Sequence, residues 1–199
     1  DEEGIELSIP TELTRGEELP SIRLRGYIDR VDILPMDEAA NEWLDPDGDE
    51  SIAPLRVHGS GWRPRRLVAI RDLKTSESKA AKDRHHDGLL DELQLALYAR
   101  AWEIAHPGDL VVAAGISLFS HHTEHMLELS SEYSASHDNL LLGTRTDITA
   151  SLHRFCDEPP SPSSDHFRAW LAQRLAVAMR TAAGAAAGRV HPTPSSGVC

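Results

Sequence analysis

Several stretches of the chain alternate apolar and polar residues or are apolar throughout, and these patterns predict β-strands. The stretch "DLVVAAGISLF" at 109–119 is apolar on both faces, which is typical of a central strand, and "EHMLELS" after it is expected to be a neighbouring strand. The other predicted strands are "GIELSIP" at 4–10, "SIRLRGYIDRVDIL" at 21–34, and the segment from about 65 to 75.

The predicted strand at 21–34 carries two carboxylates on different faces. Successive strand residues point to opposite sides of a sheet, so Asp29 shares a face with Tyr27, and Asp32 shares a face with Ile28. The two acids are therefore not equivalent candidates for one site. We expect Asp32 to form a salt bridge with an arginine.

A helical period follows the third predicted strand. "LLDELQLALYARAWEIA" has an apolar stripe that "HPGD" terminates. Beside that stripe a second face of this helix carries polar residues at helical spacing: Asp87, Asp91, Gln94 and Tyr98. Two more helices are predicted at about 132–155 and 165–188, and the packing side of the second consists of Phe167, Trp170, Leu171, Leu175 and Met179.

The order of these elements predicts one α/β (α+β) domain over residues 1–199, with a central mixed β-sheet flanked by helices. Residues 35–64 are rich in Pro, Gly and acids and have no sustained period, so they are interpreted as an acidic excursion between two core strands. The abrupt ends of the sequence suggest a fragment of a longer protein.

Composition narrows the functional classes. The 199 residues carry a formal charge of −12, and lysine occurs only at positions 74, 79 and 82, so binding of nucleic acid by bulk positive charge is not expected. No signal peptide or long apolar run is visible, which predicts a cytoplasmic protein without a membrane partner. The two cysteines, Cys156 and Cys199, do not form a disulfide framework.

Candidate chemistry lies in "RRLVAIRDLKTS" at 65–76. Asp72 and Lys74 are two positions apart in a strand and therefore project to the same side as Val68 and Ile70. Asp29, from another strand, offers a second carboxylate, and two carboxylates can hold Mg²⁺ while leaving water ligands for exchange. Taken alone, Asp72 and Lys74 also fit an ordinary ion pair at a strand end.

Three motifs in order give these residues a context. "GYIDRVD", "VAIRDLKTS" and "QLALY" resemble the G-x-x-D, D-x-K and Q-x-x-x-Y motifs of the RecB-like branch of the PD-(D/E)XK nuclease superfamily, whose members include RecB-type and AddB-type nuclease domains. The resemblance spans roughly residues 5 to 120. It implies a restriction-endonuclease-like core and Mg²⁺- or Mn²⁺-dependent hydrolysis of DNA.

The same resemblance implies a role for each matching residue. Asp29, Asp72 and the Leu73 backbone carbonyl would bind metal, with Glu6 as a further candidate ligand, and Lys74 would be the catalytic lysine. Gln94 and Tyr98 would steady the site or contact DNA, although a plain helix-surface pair is an open alternative. The tail "GRVHPTPSSGVC" is similar to the segment that precedes the C-terminal cysteine cluster of the iron–sulfur members of this branch. A 4Fe-4S cluster needs several cysteines, so Cys199 would join one only in a longer parent protein.

Basic residues flanking these motifs are the candidates for contacts with the DNA backbone, with a solvated surface as the alternative. They are Arg30, Arg63, Arg65, Arg66, Lys79, Lys82 and Arg84. The sequence thus predicts a metal-dependent DNA nuclease, an exonuclease more than an endonuclease, that processes ends in repair or recombination and works with a helicase domain or subunit. The alternatives are a catalytically silent scaffold that binds DNA or a helicase, and a restriction or phage-defence endonuclease.

Overall fold

The computed structural model describes residues 4–34, 47–57, 59–75, 92–119, 123–130 and 166–189. Within these residues the chain is a mixed α+β structure, as the sequence pattern predicts, and it contains two sheets and two α-helices. One 3₁₀ turn lies at Thr11–Leu13. The elements are β1 (Ile5–Leu7), β2 (Ile22–Leu24), β3 (Arg30–Ile33), β4 (Arg66–Lys74), α1 (Gln94–Ala105), β5 (Asp109–Phe119), β6 (Thr123–Ser130) and α2 (His166–Ala186).

The larger sheet has the strand order β3-β4-β5-β6. Strands β4 and β5 are parallel, while β3 pairs with β4 and β6 pairs with β5 in antiparallel fashion. A parallel pair needs a long crossover connection, and α1 lies within the one that joins β4 to β5. The two central strands are almost entirely buried, which explains why 109–119 is apolar on both faces.

Each face of the larger sheet borders its own apolar core. Val68 and Ile70 of β4 lie on the face covered by the two helices, where the buried side of α2 includes Trp170 and Leu175. The opposite face, which includes Leu67, packs against the segment that precedes β4. All five residues predicted as the packing side of α2 are at most 1% exposed, so that prediction is confirmed.

The prediction of one continuous strand at 21–34 is wrong. The segment forms two short strands, β2 and β3, separated by residues 25–29. Strand β2 pairs with β1 in a separate two-stranded sheet, whereas β3 joins the larger sheet. Both halves alternate well, so the alternation contains no signal for the change of sheet.

The excursion at 35–64 is more than a solvated acidic loop. Its described part, 47–57 and 59–64, has no helix or strand, yet Ala53, Leu55 and Val57 are at most 5% exposed. Ala53 and Val57 belong to the apolar core on the second face of the sheet. The segment therefore covers a face that the described helices leave uncovered.

A buried charge cluster joins this segment to both helices. Glu103 of α1 is fully buried and accepts hydrogen bonds from Arg100, Arg168 and the backbone N–H of Val111. The two arginines also donate to the backbone carbonyls of Ala53 and Pro54. The spacing of Arg100 and Glu103 predicts their contact from the sequence. The contact of Glu103 with Arg168 is long-range, and no local pattern predicts it.

Several sequence predictions fall outside the described residues. They are the helix at 132–155, the polar residues Asp87 and Asp91, the basic residues Lys79, Lys82 and Arg84, and the terminal Cys199. In the described part of the chain, no helix has the length and apolar character needed to cross a membrane.

Candidate active site

The candidate site begins at the carboxyl end of β4. Asp72 and Lys74 lie on the same side of this strand as Val68 and Ile70, so they project toward the helix-covered face. Asp72 is only 2% exposed, and its Oδ2 lies 2.8 Å from Nζ of Lys74. The strand thus holds a nearly buried carboxylate beside a partly exposed ammonium.

Asp29 reaches the same place from the neighbouring strand. Strand β3 pairs Arg30 with Arg71, so continuing this register by one position sets Asp29 opposite Asp72. Oδ2 of Asp29 accepts a hydrogen bond of 2.9 Å from the backbone N–H of Leu73, and the carboxyls of Asp29 and Asp72 are within hydrogen-bonding reach of each other. The end of the β3–β4 ladder therefore brings two acids together.

This pairing of acids changes the titration of Asp72. Burial raises its pKa above the ordinary aspartate value, the adjacent Asp29 carboxyl adds to the rise, and the hydrogen bond and charge of Lys74 oppose it without cancelling it. Like charges directly opposite each other in a sheet are destabilising. A bound cation or a shared proton would relieve this repulsion.

Helix α1 supplies the next two members of the site. Gln94, its first residue, accepts a hydrogen bond of 3.2 Å from Nζ of Lys74 through Oε1. Its Nε2 donates in turn to the Tyr98 hydroxyl at 2.8 Å, one helical turn further on. Asp29, Asp72, Lys74, Gln94 and Tyr98 are therefore joined by one continuous series of polar contacts.

The break between β2 and β3 fits around this series. A Cβ added at Gly26 would lie 3.8 Å from Cε1 of Tyr98, so the backbone at Gly26 runs close beside the phenol ring. Ile28 packs against the helix-covered core, and Asp29 is fixed by Leu73. The chain thus changes sheets along the edge of the site, which the sequence reading missed because it treated the segment as one strand.

The donor set fits a hard divalent cation. Asp29 and Asp72 provide two adjacent carboxylates, the number that Mg²⁺ commonly takes from a protein, and the repulsion between them favours a cation. Leu73 lies between Asp72 and Lys74, so its backbone carbonyl is at the same strand end. Exposed Glu6 instead bonds to Ser21 at 2.6 Å, and no group of three or more His, Cys, Asp or Glu ligands occurs within the described ranges.

Asp32 has a separate, structural role. Its carboxylate accepts hydrogen bonds of 2.8 Å from Arg30 and from the buried Arg71. Burial of Asp32 acts to raise its pKa, but the hydrogen bonds and charges of the two arginines outweigh burial and hold the pKa below the ordinary value. The predicted pairing of Asp32 with arginine is confirmed, and the pairing engages Arg30, one of the candidate DNA contacts.

The arginines at the start of β4 and just before it lie far from the paired acids. Arg66 and Asp72 are six strand positions apart, which corresponds to about 20 Å at ~3.3 Å per residue. Arg66 forms a two-point ion pair with the buried Asp109, at 2.6 and 2.8 Å, and the hydrogen bond that Arg66 donates to Asp109 raises the pKa of Arg66. Arg65 bonds to Glu50 at 3.0 Å, while Arg63 is exposed. These residues mark the opposite end of the sheet.

Tyr27 is a feature of the site that sequence reasoning did not single out. The alternating pattern assigned it to an apolar strand face, but its side chain is 90% exposed, two positions before Asp29. The sequence did contain a signal for Tyr27: it directly follows a glycine and lies two positions before a candidate metal ligand. Its position is explained by the strand break rather than by burial.

Comparison with known proteins adds no relative to this picture: no protein-family model, no curated protein and no solved structure matches the chain. The site is therefore interpreted from its own geometry and from the order of its motifs. That geometry consists of paired acids at a strand end, an ammonium in contact with one of them, and an amide and a phenol that extend the contacts onto α1.

Proposed function

We propose that this chain is a metal-dependent DNA nuclease domain of the RecB-like branch of the PD-(D/E)XK superfamily, with a restriction-endonuclease-like core. The observation that carries the proposal is the continuous contact series from Asp29 through Asp72, Lys74 and Gln94 to Tyr98. Three separate motifs, on β4, on α1 and before β3, contribute to it. The five residues of this series are all among those to which the resemblance assigns a role.

The proposed metal-binding residues are Asp29, Asp72 and the Leu73 carbonyl. A bound Mg²⁺ would supply Lewis-acid stabilisation of a phosphate oxygen and a more acidic water. The low exposure of Asp72 keeps its carboxylate away from bulk solvent. Its attraction to a cation is therefore stronger than it would be in water. The hydrogen bond from the Leu73 N–H fixes the orientation of Asp29.

Lys74 is the proposed catalytic group beside these carboxylates. Its ammonium is held between Asp72 and the Gln94 side-chain oxygen, and its side chain is 24% exposed, so it can turn toward a bound phosphate. There it would donate a hydrogen bond to a phosphate oxygen and offset negative charge that develops during attack by water. Gln94 and Tyr98 act as positioning residues, because Gln94 accepts a hydrogen bond from Lys74 and donates one to Tyr98.

The net charge of −12 implies that DNA is bound by local contacts rather than by an overall positive surface. Arg23 on β2 and Arg25, the first residue of the segment that leads to Asp29, are both exposed. They are better situated than Arg65 and Arg66, which pair with acids at the far end of β4. Binding by so few cations is expected to weaken steeply as salt increases.

Cleavage assays test the proposal. The purified protein is expected to degrade end-labelled DNA in Mg²⁺ or Mn²⁺ and to leave it intact in EDTA, because the paired acids need a cation to act on phosphate. Asp72→Asn keeps the size of the side chain and removes its charge. Prepared in parallel, this variant shows whether cutting comes from this site or from a contaminating nuclease.

Wild-type protein that cuts no DNA in either metal would contradict the proposal and would favour the silent scaffold. Cutting that Asp72→Asn leaves undiminished would contradict it equally. Cleavage of duplex DNA at one fixed sequence would support the restriction or phage-defence alternative. Degradation that starts from free ends would support end processing in repair or recombination.

A further inference from the structure

The chemistry proposed above uses five residues of the site and gives no role to Tyr27, its most exposed aromatic side chain. Tyr27 is 90% exposed, whereas the other large apolar side chains that are exposed in the described ranges are between 39% and 53%. It lies two positions from Asp29, so the Cα atoms of the two residues are at most about 7 Å apart. An aromatic ring presented to solvent beside a proposed phosphate-cleaving centre needs a reason other than folding.

The backbone on both sides of Tyr27 is anchored. Gly26 runs beside the ring of Tyr98, Ile28 packs against the helix-covered core, and Asp29 accepts the hydrogen bond from Leu73. The exposed ring is therefore carried on a segment fixed by packing and hydrogen bonding at the residues that flank it. A ring held in this way loses little conformational freedom when it binds a partner, so the contact retains more of its favourable free energy.

We propose that Tyr27 stacks on an unpaired base of the nucleic acid whose backbone occupies the candidate site, and thereby gives the domain a preference for single-stranded DNA. This inference rests on the nuclease function proposed above. A phenol ring binds the face of any base, because every base has an aromatic surface. The bases of an intact duplex are already stacked on one another, so Tyr27 has no free base face to bind there.

The surroundings of Tyr27 suit a single strand. Arg23 on β2 and Arg25 directly after it are exposed, so along the chain two cations precede Tyr27 and the acid Asp29 follows it. Aromatic rings that alternate with cations along a path are the usual means of holding single-stranded nucleic acid without reading its sequence. The ring would then position the strand so that a neighbouring phosphate reaches Lys74.

Binding in EDTA separates this contact from cleavage. Fluorescence anisotropy with a labelled oligothymidylate of about 20 nucleotides, at low salt, is the measurement. Tyr27→Ala is expected to weaken binding about 5- to 150-fold, and Tyr27→Phe is expected to retain wild-type affinity because it keeps the ring. For blunt duplex DNA of the same length, Tyr27→Ala is expected to change affinity by less than about twofold.

An abasic strand of the same length shows whether the ring acts on bases. Wild-type protein and Tyr27→Ala are expected to bind this strand equally. The matched control is Ile52→Ala, which removes another exposed apolar side chain and is expected to leave binding of both strands unchanged. Thermal unfolding of each variant shows whether the fold is retained, as expected for side chains so exposed.

Three results would overturn the proposal: no detectable binding of oligothymidylate by wild-type protein, equal affinity of wild type and Tyr27→Ala, or the same loss on the abasic strand. Cleavage in Mg²⁺ is scored separately on the same preparations. If Tyr27→Ala loses affinity only for the strand that has bases, and no DNA is cleaved, the result would support the stacking role and contradict the nuclease function. Cleavage of DNA without this loss of affinity would support the nuclease function and contradict the stacking role.

Discussion

Replacing Lys74 with alanine is expected to lower the rate of DNA cleavage by about 10²- to 10⁴-fold while the domain stays folded and still binds a divalent cation. The physical reason is that Lys74 carries the partly exposed positive charge that touches both Asp72 and Gln94. Its removal takes away charge stabilisation of the phosphate but leaves both carboxylates. Single-turnover cleavage of end-labelled DNA measures the rate.

The pH dependence of Lys74→Ala distinguishes two ways in which the lysine could act. In the folded protein Lys74 lowers the pKa of Asp72 against burial and against Asp29, so the variant has an Asp72 pKa that is raised further. If Lys74 served only to keep Asp72 ionised, raising the pH would restore cleavage. We expect no such rescue, and recovery of wild-type rates at high pH would contradict a direct role at the phosphate.

Glu103→Gln is expected to destabilise the fold by about 3–5 kcal/mol, a large fraction of the stability of an ordinary domain. Glu103 is fully buried and serves as the carboxylate for Arg100 and for Arg168, whose side chain is 3% exposed. Burial lowers the pKa of Arg100 and the charge of Arg168 lowers it further, while Glu103 opposes both effects. Without Glu103 two buried guanidinium groups would face each other with no anion between them.

Denaturant unfolding, with the free energy of unfolding taken from the linear extrapolation, measures this loss. The control is Glu50→Gln, which disrupts an ion pair of the same kind with Arg65 in which the Glu50 side chain is 81% exposed. An exposed pair contributes about 0–1 kcal/mol, so this control is expected to unfold nearly as wild type does. Equal, small losses in the two variants would show that the buried cluster does not stabilise the fold.

The local parts of the site could be predicted from sequence because strand and helix periods fix which side chains share a face. The period of two in β4 places Asp72 and Lys74 together, and the period of α1 places Gln94 and Tyr98 one turn apart. These placements need no knowledge of the rest of the fold. The structure brings the four residues into one series of contacts.

The long-range parts of the fold could not be predicted in the same way. The contact of Asp32 with Arg71 depends on the β3–β4 register, and Glu103 meets Arg168 across 65 sequence positions. The change of sheet after β2 leaves the alternating pattern intact, so it carries no periodic signal. Tyr27 was assigned to a strand face for this reason, although its ring is exposed.

We expect Asp29 and Asp72 together to bind the divalent cation that the proposed nuclease needs. Titration calorimetry with Mn²⁺ tests this binding without reference to cleavage. We expect one Mn²⁺ per chain, with binding abolished by Asp29→Ala and by Asp72→Asn. Asp49→Asn removes an exposed carboxylate from the segment before β4 and is expected to leave binding unchanged.

The pH dependence of this titration gives the most direct test. A metal binds the ionised carboxylate, and burial together with Asp29 raises the pKa of Asp72, so Mn²⁺ affinity should begin to fall at a higher pH than for an ordinary aspartate. We expect one Mn²⁺ bound near neutral pH, weaker binding on acidification, and no binding by either site variant. Absence of Mn²⁺ binding by the wild-type protein, or binding that neither variant reduces, would rule out a metal site at Asp29 and Asp72.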